Sequence, residues 1–155
     1  MKSYHFIFLF FILQVFIGCY NHSEETEKLN SILIKYEKVI PDEHHLYFVR
    51  SNFYCDGCIQ SIFFQLDNAL ANSSSIPVTI ISPDQRHISD RLLSKAKYIN
   101  DSLRMADKAF SAYINLTIFE TKNGKVLEYN NMGDSKKIDL PQFVNDFLRE
   151  ETIVD

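Results

Sequence analysis

The spacing of apolar side chains changes period several times along the 155-residue chain, and each change marks an element. Leu29, Ile32, Leu33, Tyr36 and Ile40 recur at helical spacing and stop before Pro41, which predicts a helix of about three turns. The polar connection Pro41 to His45 leads into Leu46 to Arg50, a short buried strand, and Ser51 to Tyr54 reads as a loop. Ile59, Ile62, Phe63, Leu66 and Leu70 then keep a 3.6-residue period, with Gln60, Ser61, Gln65 and Asn68 on the opposite face. After a break at Asn72 to Ile76, the β-branched run Pro77 to Ile81 predicts a second buried strand closed by Ser82-Pro83-Asp84. Ile88, Leu92, Ala96 and Ile99 predict a helix with Ser89 as its N-cap. From Asn100 to Ser111 no single period holds, and a continued helix and an irregular crossover fit equally. Tyr113 to Glu120 and Val126 to Tyr129 flank Asn123-Gly124, the strongest short hairpin signal. Leu140, Phe143, Val144, Phe147 and Leu148 form a last amphipathic helix beginning near Pro141.

The N-terminus has a different pattern. Phe6 to Ile17 is apolar apart from Gln14, and Lys2 is the only formal charge before Glu24. Such a run is too short for a permanent membrane span and has the charged start, apolar centre and small final residue of a secretory signal. Phe16-Ile17-Gly18-Cys19 resembles a bacterial lipoprotein lipobox, which implies cleavage before Cys19 and lipidation of that cysteine. An ordinary signal peptide with an incidental cysteine is the plainer alternative. The polar, acidic stretch after Cys19 reads as a solvated tether, and it also resembles the acidic segment that routes some lipoproteins to the outer face of the outer membrane. The expected organisation is a signal over 1–18, a tether over 19–28 and one domain over 29–155, located in the bacterial cell envelope and held to a membrane by its lipid.

Removing 18 residues leaves 137, enough for one core and too few for two domains. The formal charge moves from −4 to −5 once Lys2 is lost. A mildly acidic chain without basic runs gives no support to nucleic-acid binding. Tryptophan is absent, so the 13 Phe and 8 Tyr must supply the aromatic bulk.

The remaining two cysteines carry the chemistry. Cys55-Asp56-Gly57-Cys58 stands between a strand and a helix, so both sulfurs lie at a helix start, where unpaired N–H groups and the helix dipole favour a thiolate. From Leu46 onward the elements run β-α-β-α-β-β-α. With the CxxC at that junction, an aromatic pair Phe53-Tyr54 before it and Thr121 to Val126 as a hairpin, residues 46 to 150 resemble the thioredoxin-like family. The resemblance implies an α/β fold with a central mixed sheet flanked by helices, to which the chain adds an N-terminal helix. It also implies thiol–disulfide exchange on protein thiols or disulfides of the envelope, without a cofactor or metal. In that family's terms Cys55 is the exposed nucleophile and Cys58 the more buried resolving thiol.

Two departures accompany it. No proline lies between Pro83 and Pro141, where the family has a cis-proline facing its cysteines, and the lead-in reads Ala109 to Tyr113. Val49 occupies the place, six residues before Cys55, where many thioredoxins hold a buried acid. Asp56 beside Cys55 disfavours a second negative charge, which makes the site more reducing than the strong periplasmic oxidants. Gly57 lets the backbone turn with no side chain near the sulfurs.

Three alternatives stay open. The same fold serves as a redox-inactive interaction module, and a structural disulfide needs no turnover in an oxidising compartment. The CxxC also resembles the metal loop of small heavy-metal-binding domains, with His44, His45, His87, Met105 and Met132 as further donors for a thiolate site. Asp84, His87 and Ser89 are neighbours in sequence, but a turn and a helix cap explain them better than a triad does.

Overall fold

The computed structural model describes residues 22–51, 55–71, 77–110, 116–132 and 139–152. The signal segment, Cys19, Phe53, Tyr54, the break at 72–76 and the lead-in positions 111–113 lie outside them.

Eleven residues, Ser23–Leu33, form helix α1, which continues as a short 3₁₀ turn to Tyr36. It begins earlier than the apolar period suggests and takes in Ser23 to Lys28, which composition assigns to the tether. Local charge explains part of this: Glu24 and Glu25 occupy the first turn, where the dipole favours anions, and Lys28 pairs with Glu24 at 2.7 Å. A distant contact supplies the rest, because Val126 N–H donates to Thr26 Oγ1 at 3.0 Å. Glu37 closes the helix in the left-handed conformation, with Lys38 N–H reaching back to the Leu33 carbonyl.

The other elements are β1 (His45–Arg50), α2 (Asp56–Ala69), β2 (Val78–Ser82), α3 (Asp90–Lys95), β3 (Lys97–Asn100), α4 (Met105–Ala109), β4 (Leu116–Lys122), β5 (Lys125–Asn131) and α5 (Leu140–Thr152). The strands make one mixed sheet in the order β3-β2-β1-β4-β5. β1, β2 and β3 are parallel neighbours, whereas β4 runs antiparallel to both β1 and β5. Strand alternation divides the core between the two faces. Leu46, Phe48, Val78, Ile80 and Ile118 point toward α2, α3 and α5, while Tyr47, Val49, Ile81 and Phe119 point toward α1 and α4. Helices on both sides explain why β1 and β2 are buried at every position.

β3 is absent from the sequence expectation, which carries the preceding helix through Ala96 and Ile99. Ile88, Leu92 and Ala96 do face the α2 side, but the chain turns extended after Lys95 and Ile99 packs on the opposite face. α3 thus has only six residues. Ser89 caps it as expected, accepting from Leu92 N–H at 3.0 Å. Lys95 Nζ donates to the Leu70 and Ala71 carbonyls at the end of α2, so the last charge of α3 satisfies the exit of its neighbour. The stretch of mixed period resolves as a turn and the five-residue α4, organised by Asp101, whose carboxylate accepts from Met105 N–H at 2.7 Å and Ala106 N–H at 2.9 Å.

The hairpin turn has positive φ at both central residues, 53° at Asn123 and 70° at Gly124. A Cβ at Gly124 meets nothing nearer than Asp42 Oδ1 at 3.8 Å. Gly124→Ala is therefore expected to cost about 1 kcal/mol from backbone strain alone. Urea unfolding at neutral pH measures it, and a loss several times larger contradicts the strain account.

Candidate functional site at the start of helix α2

The carboxyl ends of β1 and β2 form one edge of the sheet, the place where open parallel sheets present ligands and chemistry. β1 delivers the chain there through Arg50 and Ser51, and α2 starts after residues 52–54. Cys55 is extended, with φ −82° and ψ 114°, and occupies the N-cap of α2; its carbonyl accepts the Ile59 N–H at 3.0 Å. Cys58 lies in the first turn. The two Cα atoms are 5.2 Å apart and the sulfurs are joined as a disulfide, so the expected pair is brought together.

Exposure departs from expectation. Cys55, Asp56, Gly57 and Cys58 are all solvent-exposed, and the first buried residue of the helix is Ile59. Cys58 is not shielded, although α2 rests on the sheet through Ile59, Ile62, Phe63 and Leu66. Gly57 also has a different part from the one expected of it. It is an ordinary helical residue and makes no turn, and a Cβ built on it meets nothing within 4 Å.

A polar assembly from two further strand ends braces the site. Arg50 is fully buried at the end of β1. Its guanidinium donates to the Arg86 carbonyl at 3.1 Å and the Asp84 carbonyl at 3.2 Å, and it pairs with the Asp84 carboxylate. Partial burial opposes ionisation of Asp84, but hydrogen bonds from Arg86 and Arg50 outweigh it and hold the carboxyl well below the usual carboxylate range. The segment they fix ends in His87, held at φ 66°, whose Nε2 lies 2.9 Å from Asp56 Oδ1. A continuous chain of contacts thus joins the sheet to the CxxC insert, through Arg50, the 84–86 backbone, His87 and Asp56.

Arg50 was not among the candidates from sequence. Its only sequence signal is a cation ending an otherwise apolar strand, which most often means a solvated edge.

The remaining candidate donors are dispersed. His44 Nε2 lies 2.6 Å from Glu120 Oε1, with its ring against Phe147. His45 contacts Thr79 Oγ1 at 2.8 Å at the opposite end of β1. Met105 packs against the α1 side of the core and Met132 against the other. Among the described residues no three His, Cys, Asp or Glu side chains gather as a metal site. Nor do Asp84, His87 and Ser89 converge: Asp84 serves the arginines, His87 faces Asp56, and Ser89 caps α3 while donating to Asp67 at 2.8 Å. Val49 is buried against the α1 side of the core, as an apolar residue should be there.

Comparison with protein-family models, curated proteins and solved structures finds no match to this chain. No helix among the described residues is long and apolar enough to cross a membrane.

Proposed function

We propose that the protein is a thioredoxin-like thiol–disulfide oxidoreductase of the bacterial cell envelope, tethered by a lipid on Cys19. One observation carries the reading: a closed, exposed Cys55–Cys58 pair at a helix start, on the carboxyl edge of a parallel strand in a β2-β1-β4-β5 arrangement. In the reduced protein the Cys55 thiolate attacks a disulfide of a client, forming a mixed disulfide and releasing one client thiolate. Cys58 then attacks the Cys55 sulfur, the Cys55–Cys58 bond closes and the second client thiol leaves. Two electrons pass from the protein dithiol to the client, and a reducing thiol partner restores the pair. Asp56 beside Cys55 disfavours the thiolate, so the expected potential lies between those of the strongly reducing and strongly oxidising members of the family.

A second reading is favoured by Val49. With an apolar residue at the position that serves as proton acceptor in many thioredoxins, the fold also suits a redox-inactive interaction module.

Full-length Cys58→Ser is expected to accumulate mixed disulfides with client proteins or glutathione through Cys55, while Cys55→Ser accumulates few. The wild-type pair is expected to equilibrate with glutathione within the assay. Non-reducing gels and mass spectrometry read both results. A pair that stays closed in excess dithiothreitol, with no trapped species in either variant, selects the interaction module.

A further inference from the structure

At the end of the sheet opposite the cysteines, a cavity of about 410 Å³ opens between the close of α1 and the edge strand β3. β1 runs from His45 beside it to Arg50 beside the cysteines, about 15 Å away, so this is a separate place in the fold. Its floor is a polar patch on the sheet face that packs against α1 and α4. Tyr47, Thr79 and Lys97 occupy one register row across β1, β2 and β3, with His45 one pleat along. His45, Tyr47 and Thr79 are each more than nine-tenths buried. The rest of that face carries Val49, Ile81, Phe119 and Val126 together with the buried threonines Thr117 and Thr121 of β4. His45 and Thr79 satisfy each other at 2.8 Å, so this polar row is tolerated beneath the cavity.

The walls are apolar, from Leu33, Pro41, Ile99 and Val39, and Val39 remains 73% exposed with its side chain at the mouth. Tyr98 and two cations, Lys38 and Lys97, complete the lining. Neither lysine side chain forms an ion pair or hydrogen bond among the described residues. Glu43 is close enough to act on His45 but does not line the cavity. The interior groups are neutral near pH 7. Burial, aided by Lys97, pushes the His45 imidazole down to about 4, and burial pushes the Tyr47 phenol up to about 12.

We infer that this cavity binds a small organic monocarboxylate with an apolar body. Its carboxylate meets Lys38 and Lys97 at the mouth, and its body lies along Leu33, Val39, Pro41 and Ile99 over the neutral His45, Tyr47 and Thr79. A cavity of this size, mostly apolar with a few convergent polar groups, has the anatomy of a small-molecule site. The lining holds two lysines and no arginine, so it offers point charges and no bidentate fork. The carboxyl end of α1 also faces this region, and its partial negative charge disfavours a multiply charged anion.

The probe is 3-phenylpropionate, titrated calorimetrically into the full-length protein at neutral pH and low salt, with 3-phenylpropanol as the uncharged match. Saturable one-to-one binding of the acid is expected, with the alcohol at least tenfold weaker. Lys38→Gln and Lys97→Gln, both exposed and expected to leave the fold intact, should each weaken the acid several-fold and leave the alcohol unchanged. Ile99→Trp should fill the cavity and abolish both. The Cys55→Ser/Cys58→Ser double variant should bind as wild type does, which separates this site from the redox reading. Equal binding of acid and alcohol, or acid binding that persists unchanged in both lysine variants and in Ile99→Trp, overturns the inference, as does the absence of saturable binding by the acid.

Discussion

Arg50→Ala is expected to lower the unfolding free energy by about 3–5 kcal/mol, the largest loss from any single side chain outside the apolar core. Arg50 is fully buried, and its partners include two backbone carbonyls and the Asp84 carboxylate, which is 35% exposed. Truncation removes the donors of two part-buried hydrogen bonds and leaves a cavity at the end of β1. Asp84→Asn should cost less, because it keeps the shape and both carbonyl contacts and because the lost carboxylate was partly solvated. Urea unfolding of the three proteins at neutral pH gives the comparison. Equal, small losses in both variants contradict the buried-pair account. The same loop presents His87 to Asp56, so Arg50→Ala should also change the glutathione equilibrium of the cysteine pair while the pair itself is intact.

Acidification from pH 7 to 4 is expected to remove about 2–3 kcal/mol of stability through His45 alone. The folded imidazole titrates at about 4 because burial, and then Lys97, disfavour its charged form, whereas the unfolded chain titrates near 6.5. Between those values the unfolded state binds the extra proton, so stability rises with pH across this window. The contribution is complete above about 6.5 and is lost as pH falls toward 4. Asp84 and Asp67 act in a lower window. Their folded carboxyls are depressed by arginine hydrogen bonds, so their contribution persists above the ordinary carboxylate value and fails only below it. His45→Gln retains a group able to hydrogen-bond Thr79 and does not titrate. Its loss between pH 7 and 4.5 should be smaller than wild type's by about 2 kcal/mol. Parallel slopes in the two proteins reject this assignment.

The helices α2 and α5, the strands β1, β2, β4 and β5 and the hairpin at Asn123-Gly124 were legible because each leaves a local trace. A helix resting on a sheet needs apolar residues every three or four positions, and a strand covered on both faces needs an unbroken apolar run. The placement of Cys55 and Cys58 at a strand–helix junction was legible for the same reason. The start of α1 was not, because Ser23 to Glu27 has no apolar residue to mark a period and gains its footing from Val126, a hundred residues away. β3 was hidden by length. Its four residues continue the spacing of Ile88, Leu92 and Ala96 as far as Ile99, and the strand is distinguished only by pairing with β2.

Periodicity in the chain encodes which side of each segment turns away from water, and from this alone an α/β sandwich of layers with its cysteines at one helix start follows. The folded sheet sets what depends on contacts between segments remote in sequence. Arg50 acquires Asp84 and Arg86 because β1 and β2 end side by side, and His87 reaches Asp56 because the loop they anchor lies over α2. Cys58 is exposed although its spacing to Ile62 and Leu66 points it along the buried stripe, and His45, Tyr47 and Thr79 share a cavity floor because two parallel strands place them in neighbouring register. None of these can be read from spacing, since a side chain's electrostatic and packing environment is made by neighbours that the local pattern does not contain.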